Sequence, residues 1–251
     1  MADYINVPTL NIDFLKPSRM RFHVPGSGID GARNGLGQSI SIEMTGGGIV
    51  TGAYEGCFVQ APEEHEYTNW IDALMSGSFR FMNVPIKSDW SGPFPLVGGI
   101  PTPIISGIPH SDGSLFSDGA GYIQATVFGT IAANAALNAG QITINIFGNS
   151  RNLRWSDWFA IRHSVKGWRA YRYWQASDPV AITETVDGVE YTGQQYTLGI
   201  TPALRQAVTA GMRIEFARPR FVARFPSGFS SPWEVEGFYR ANPSFQFVEA
   251  F

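Results

Sequence analysis

The chain has 251 residues, of which 44% are hydrophobic, 14% aromatic and only 16% charged. Its net charge of −3 argues against a general nucleic-acid-binding surface, which is normally basic, and its single cysteine, Cys57, excludes an intramolecular disulfide or a multi-thiolate zinc site. No stretch approaches the roughly 18 apolar residues of a membrane helix, and the N-terminal residues lack the order of a signal peptide, so we expect no membrane insertion.

Alternating segments predict strands in the first part of the chain. Residues 38–44 alternate between polar and apolar side chains, as a half-buried strand does. The glycine-rich residues 25–37 before them predict a loop. A glycine turn at 45–48 predicts a hairpin whose return strand spans residues 49–60.

Residues 62–76 are predicted to form the one clear helix. Pro62 suits the first helical turn, and Gly77 suits the C-terminal stop. The apolar residues that recur at helical spacing, and that we expect to form the buried face, are Tyr67, Trp70, Ile71 and Leu74.

The rest of the chain also predicts β structure. Residues 86–109 are rich in Pro and Gly, which excludes a central strand or a helix and indicates an extended connection. Residues 141–147 alternate as a strand, and residues 183–198 predict a hairpin that turns at Asp187-Gly188. The predicted fold class is therefore mainly β with one helix.

The most distinctive chemistry lies in residues 151–174, where basic and aromatic side chains are interleaved. Arg, Trp and Tyr are the usual anchors of protein interfaces, so we favour a subunit interface or a packed barrel wall. Stacking on sugars or on single-stranded nucleic acid are the alternatives. The predicted interface or ligand contacts are Trp155, Trp158, Trp168, Arg169, Tyr171, Arg172 and Trp174.

A second basic set lies near the C-terminal strands and is available to pair with acidic residues of a neighbouring subunit. Its members are Arg205, Arg213, Arg218, Arg220 and Arg224. The candidate acidic partners are Glu215, Glu234 and Glu236.

No arrangement of residues predicts catalysis, a metal site or a cofactor. The histidines lack metal-site spacing, and the glycine clusters do not match a phosphate-binding loop. The string His-Ser-Asp-Gly at 110–113 contains the residue types of a hydrolytic triad, but a triad is assembled from separate segments. We predict an Asx turn closed by Asp112 instead. The helix glutamates Glu63, Glu64 and Glu66 predict a solvated first turn rather than paired catalytic carboxylates.

An ordered series of segments resembles the distal tail proteins of siphophage and gene-transfer-agent tails. Each segment is unspecific alone, and their order along the chain carries the resemblance. The series runs through residues 108–119, 137–147, 170–174, 200–205, 210–219 and 245–250. The strands and helix of the first half are similar to the ring-forming domain of that family.

The resemblance implies a tail-tube-like ring domain, a β-sandwich or barrel with one helix, formed by residues 1–109 and 210–251. A small β-barrel of residues 110–209 would be inserted in it. Such proteins form a hexameric ring at the distal end of the virion tail. The implied partners are other copies of the chain, the tail tube protein, the baseplate hub protein and, further out, fibres or the host surface. DNA would pass through the lumen without specific binding.

A second function, of a different class, stays open. The aromatic residues of 151–174 also suit a carbohydrate-binding module that contacts cell-surface glycan at a tail tip. Substitution of single tryptophans would separate the two.

Overall fold

The computed structural model describes residues 3–26, 28–43, 47–86, 92–231, 237 and 240–251. Strands account for 46% of it and helices for 8%, which confirms the mainly-β class with one α-helix. No helix within those residues is long and apolar enough to cross a membrane.

The described residues contain eighteen strands, helix α1 (Pro62–Met75) and two 3-10 helices (Ile12–Phe14 and Ser76–Ser78). The first nine strands are β1 (Pro17–His23), β2 (Gly28–Arg33), β3 (Ser39–Glu43), β4 (Thr51–Cys57), β5 (Met82–Pro85), β6 (Leu96–Val97), β7 (Ile100–Pro101), β8 (Ile104–Ile108) and β9 (Tyr122–Ala125). The other nine are β10 (Phe128–Ile131), β11 (Gln141–Phe147), β12 (Phe159–His163), β13 (Gly167–Ala176), β14 (Val180–Val186), β15 (Val189–Thr201), β16 (Arg213–Glu215), β17 (Arg220–Arg224) and β18 (Phe245–Glu249).

Strands from both ends of the sequence form an antiparallel sheet in the order β1-β4-β18-β17-β5. Helix α1 packs on this sheet through one apolar core. Among the residues of that core are Tyr54, Ile71, Met75, Phe221, Phe245 and Phe247. The sheet therefore depends on pairing between segments that are far apart in the chain.

A closed barrel of six strands forms a second core. The order is β11-β10-β16-β12-β13-β15, and β15 pairs back with β11 to close it. Strand β14 adds to β15 outside the closed ring. Among the side chains that fill this core are Ile142, Ile144, Ile146, Phe159, Tyr171, Leu198 and Ile214.

The barrel limits differ from the predicted 110–209. Residues 213–215, which we expected in the ring domain, form β16 and pair with β10 and β12. Residues 122–125 pair with β8 and not with a barrel strand. Local alternation predicts that a segment is a strand, but it does not say which distant strand will pair with it. The division into a ring domain and an inserted domain stays a prediction.

The buried face of α1 differs from the one predicted. Ile71 is buried as expected, but Tyr67 and Leu74 are only partly buried and Trp70 is exposed. The residues of the helix that are buried are Glu64, Thr68, Ile71 and Met75. Polar residues occupy this face because Glu64 accepts hydrogen bonds from Lys16 and from the backbone N–H groups of Gln60 and Ala61.

The predicted hairpin between residues 38–44 and 49–60 is wrong. Strand β3 pairs with β2, which arises from the glycine-rich residues expected to be a loop, and β4 lies between β1 and β18. Of the glycine turn at 45–48, only Gly47 and Gly48 lie within the described residues. The connection predicted at 86–109 contains the short strands β6 and β7 and all of β8, and its residues 87–91 lie outside the described part.

The hairpin that turns at Asp187-Gly188 is confirmed. Strands β14 and β15 pair up to Val186 opposite Val189, which leaves a two-residue turn. Both turn residues have positive φ, 52° at Asp187 and 81° at Gly188, as the favoured hairpin turn requires.

Candidate functional site

Two segments outside both cores expose apolar side chains, and we call them the first and the second arm. The first arm is the β2–β3 hairpin. Ile29 and Ile42 are direct cross-strand partners, and Ile40 follows on the same face of β3 because alternate side chains share a face. Their side chains are 51%, 53% and 46% exposed. The strand pattern predicts that this face is buried, yet it stays exposed within the single chain.

The second arm comprises β6 to β9, in residues 95–126. It also exposes large apolar residues, among them Leu96, Val97, Ile100, Ile105, Leu115, Tyr122 and Ile123. At its tip the rings of His110, Phe116 and Tyr122 pack edge to face, with centroids 4.9 to 5.0 Å apart. An isolated two-stranded hairpin is marginally stable in water, so this ring cluster stabilises the tip locally.

The string at 110–113 lies in this tip and forms the predicted Asx turn. Asp112 Oδ1 accepts hydrogen bonds from the backbone N–H and the hydroxyl of Ser114, at 2.9 and 2.7 Å. The Ser114 hydroxyl, followed by its N–H, lowers the pKa of Asp112. The His110 ring contacts the Tyr122 hydroxyl at 3.1 Å. Across the described part of the chain, no three His, Cys, Asp or Glu side chains converge as metal ligands.

The residues predicted as contacts in 151–174 do not form one surface. Trp158 is buried against the core of the five-stranded sheet, under the guanidinium of Arg172 at 5.3 Å. Arg169 and Tyr171 are fully buried. Trp168 stacks with Arg220, and only Trp155 and Trp174 are widely exposed, at 60% and 62%. Most of the segment is therefore a packed barrel wall.

A buried ionic cluster joins the barrel to the five-stranded sheet. Glu249 of β18 accepts hydrogen bonds from Arg169 of β13 and from Arg205, both at 3.2 Å, and from the N–H of Val50 at 3.1 Å. Arg169 also donates to the carbonyl of Ala250 at 2.6 Å. Burial lowers the pKa of Arg169, and the charge of Glu249 opposes that shift. The buried Glu249 carboxylate keeps its two arginine partners only while the barrel and the five-stranded sheet stay packed against each other.

Next to this cluster, His163 is buried inside the barrel. Its Nε2 lies 2.8 Å from the Tyr171 hydroxyl, which accepts a hydrogen bond from the backbone N–H of Arg205 at 3.2 Å. Burial, followed by the charge of Arg169, lowers the pKa of His163 to about 4. The imidazole is therefore neutral at pH 7.

The arginines near the C-terminal strands, predicted as a second basic set, do not share one environment. Arg205 pairs with Glu249 of its own chain and Arg213 pairs with Asp187, which corrects the expectation of pairing with a neighbour for these two. Glu215 accepts hydrogen bonds from the backbone N–H groups of Ala217 and Arg218. The other candidate acidic partners, Glu234 and Glu236, lie outside the described residues.

Glu249 was missed as a site residue because its cationic partners lie far away in the sequence. It sits in an ordinary alternating strand, 80 residues after Arg169. Its burial on the inward-facing side of that strand was the only sign available, since a carboxylate in such a position requires a cationic partner.

A scan against models of known protein families finds no match, and a search of curated proteins finds none either. The resemblance to distal tail proteins therefore rests on the order of the segments in the sequence.

Proposed function

We propose that this protein is a structural subunit that assembles with copies of itself through its two arms. The observation that carries the proposal is the apolar face of the first arm, formed by Ile29, Ile40 and Ile42. An amphipathic hairpin with one uncovered apolar face is typical of a segment that packs on a partner.

The two edges of the five-stranded sheet also differ. Edge β5 is covered, because Asn83 exchanges backbone hydrogen bonds with Pro8 and Leu10 of the N-terminal segment. Edge β1 pairs only with β4 within the described residues. It carries Arg19 and Arg21, and charges of this kind limit unspecific edge pairing, so the arms provide most of the apolar contact. Because the two edges of the sheet differ, they suit a head-to-tail interface between subunits. Such an interface closes into a ring when the rotation from one subunit to the next divides a full turn evenly.

The finer role that we propose follows the family resemblance. The subunit forms a ring, a hexamer by that resemblance, at the distal end of a virion tail. The ring connects the tail tube protein to the baseplate hub protein and the fibres, and DNA passes through its lumen. The mainly-β fold with a closed barrel and one helix supports this role.

Negative-stain imaging of purified protein and of tail-containing particles tests the proposal. We expect ring-shaped particles from the protein alone, and gold-labelled antibody against the chain at the distal tail end. A protein that stays monomeric at every concentration would contradict the assembly. Its absence from tail particles would contradict a location at the distal tail end.

A carbohydrate-binding function is the second candidate, and the exposure of two tryptophans supports it. Trp155 lies over the Tyr173 ring at 5.5 Å, and Trp174 is exposed on β13. Sugars stack on exposed rings of this kind. A glycan array with Trp155→Ala and Trp174→Ala tests this function, with Val189→Ala as the control, because Val189 is an exposed apolar residue at a turn. Binding that is lost only in the tryptophan variants would support a glycan site, and no binding by the wild type would exclude it.

A further inference from the structure

A cavity of about 430 Å³ lies between the N-terminal segment and the base of the second arm. Residues 9–13, Pro85 and Ile104 line it, and two arginines, Arg218 and Arg220, complete the wall. These two arginines lie in the connection from barrel strand β16 to sheet strand β17 and at the start of β17. All of these residues belong to one copy of the chain.

The charges around Arg220 do not balance. Three arginines, Arg162, Arg218 and Arg220, lie close enough to interact, and among the described residues Glu215 is the carboxylate that acts on Arg220. Burial lowers the pKa of Arg220, and the two other arginines lower it further, while Glu215 raises it. With Asp13, which lines the cavity, the three arginines and Glu215 leave a net charge of +1. Asp13 lines the cavity as an exposed side chain and forms no ion pair with these arginines.

The guanidinium of Arg220 is held in place by an aromatic ring. It stacks on the Trp168 ring, with its central carbon 4.6 Å from the ring centroid. Its Nε is buried and has no hydrogen-bond partner among the residues that the structure describes. Buried polar groups normally have a partner, and a guanidinium fixed by stacking presents its donor edge in a defined plane. Such an edge matches the oxygens of a tetrahedral oxyanion.

We propose that this cavity binds a phosphate group, through the side chains of Arg218 and Arg220, with Arg162 adding to the local positive charge. A phosphate group carries up to two negative charges and offers three acceptor oxygens, so it can accept hydrogen bonds from both guanidinium groups at once. The phosphate has two sources to consider, a free phosphate or phosphomonoester and the phosphodiester backbone of a nucleic acid. The site is complete within one copy, so it does not depend on the proposed assembly.

Thermal unfolding of the full chain in sodium phosphate, against sodium chloride at equal ionic strength, tests the site. Phosphate also stabilises proteins unspecifically, so the variant comparison is the readout. Arg218→Gln is the main variant because Arg218 is exposed and the fold does not depend on it, and Arg220→Lys is the second. Arg224→Gln, with the same charge change outside the cavity, is the matched control.

We expect a saturable rise of Tm with phosphate in the wild type and in Arg224→Gln. Apparent affinity should fall about tenfold or more in Arg218→Gln and Arg220→Lys, since each change removes at least one charge-assisted hydrogen bond. Identical phosphate responses in all four proteins would overturn the proposal. Anisotropy of a fluorescent single-stranded oligonucleotide distinguishes the sources. Oligonucleotide binding that is lost in Arg218→Gln assigns the site to a nucleic-acid backbone, and a response to phosphate alone assigns it to free phosphate or a monoester.

Discussion

Glu249 holds the two cores together through its buried contacts with Arg169 and Arg205. We expect Glu249→Gln to lower the free energy of unfolding by about 3 kcal/mol, because removal of one charge leaves the buried Arg169 and the largely buried Arg205 without their counter-ion. Urea unfolding, followed by tryptophan fluorescence, measures this.

Glu55→Gln is the control for that prediction. Glu55 pairs with Arg19 and Arg21 at the surface, where an ion pair contributes less than about 1 kcal/mol. Equal losses in the two variants would contradict a special role for the buried cluster.

His163 makes the stability depend on pH. Its folded pKa of about 4 lies below the ordinary value of 6.5, so the unfolded chain binds a proton first as the pH falls. The contribution of the neutral His163 to the free energy of unfolding is complete above pH 6.5 and is lost as the pH falls from 6.5 towards 4. It amounts to about 3 kcal/mol at most.

We expect His163→Gln to flatten the dependence of the unfolding free energy on pH between 6.5 and 4, although the variant is less stable at pH 8. Urea unfolding at several pH values measures the slope. A slope in the variant equal to that of the wild type would mean that other groups cause the dependence.

At the scale of elements, the accuracy of sequence prediction follows the range of the interactions. Helix α1 and the turn at Asp187-Gly188 were predictable because proline, glycine and helical spacing act locally. The partner of β3 was not, because both edges of β4 pair with other strands, β1 and β18, and β18 lies almost 200 residues further along the chain. The face of α1 was also misjudged, since the contacts of Glu64 with Lys16 are not visible in the helix sequence.

The turn between β14 and β15 gives a test at this scale. Gly188 has a φ of 81°, so Gly188→Ala places a side chain in the left-handed region and should lower stability by about 1 kcal/mol. Gly140→Ala is the control, because Gly140 lies outside the left-handed region and has open space around it. Thermal unfolding of both variants measures the difference. A loss in Gly140→Ala as large as that in Gly188→Ala would contradict the backbone explanation.

At the scale of the molecule, the family resemblance implied a barrel and a second β unit, but not how they join. Barrel closure depends on β15, whose thirteen residues pair with β11 along one edge and with β14 and then β13 along the other. The aromatic and basic residues of 151–174 were identified as important. Their division into a buried wall and two exposed tryptophans depends on how the barrel wraps, which one sequence does not reveal.

In the proposed assembly, the first arm covers its apolar face by contact with another copy. The double variant Ile29→Thr/Ile42→Thr makes this face polar without touching either core, so the variant should still fold and should unfold in one cooperative transition. Val180→Thr, at an exposed apolar position on β14 outside the arms, is the control.

Light scattering over a range of concentrations gives the molar mass of each protein. We predict a multiple of the chain mass of 27.5 kDa for the wild type and the control, and the mass of one chain for the double variant. A double variant that assembles as the wild type does, or a wild type that stays a monomer throughout, would contradict the claim.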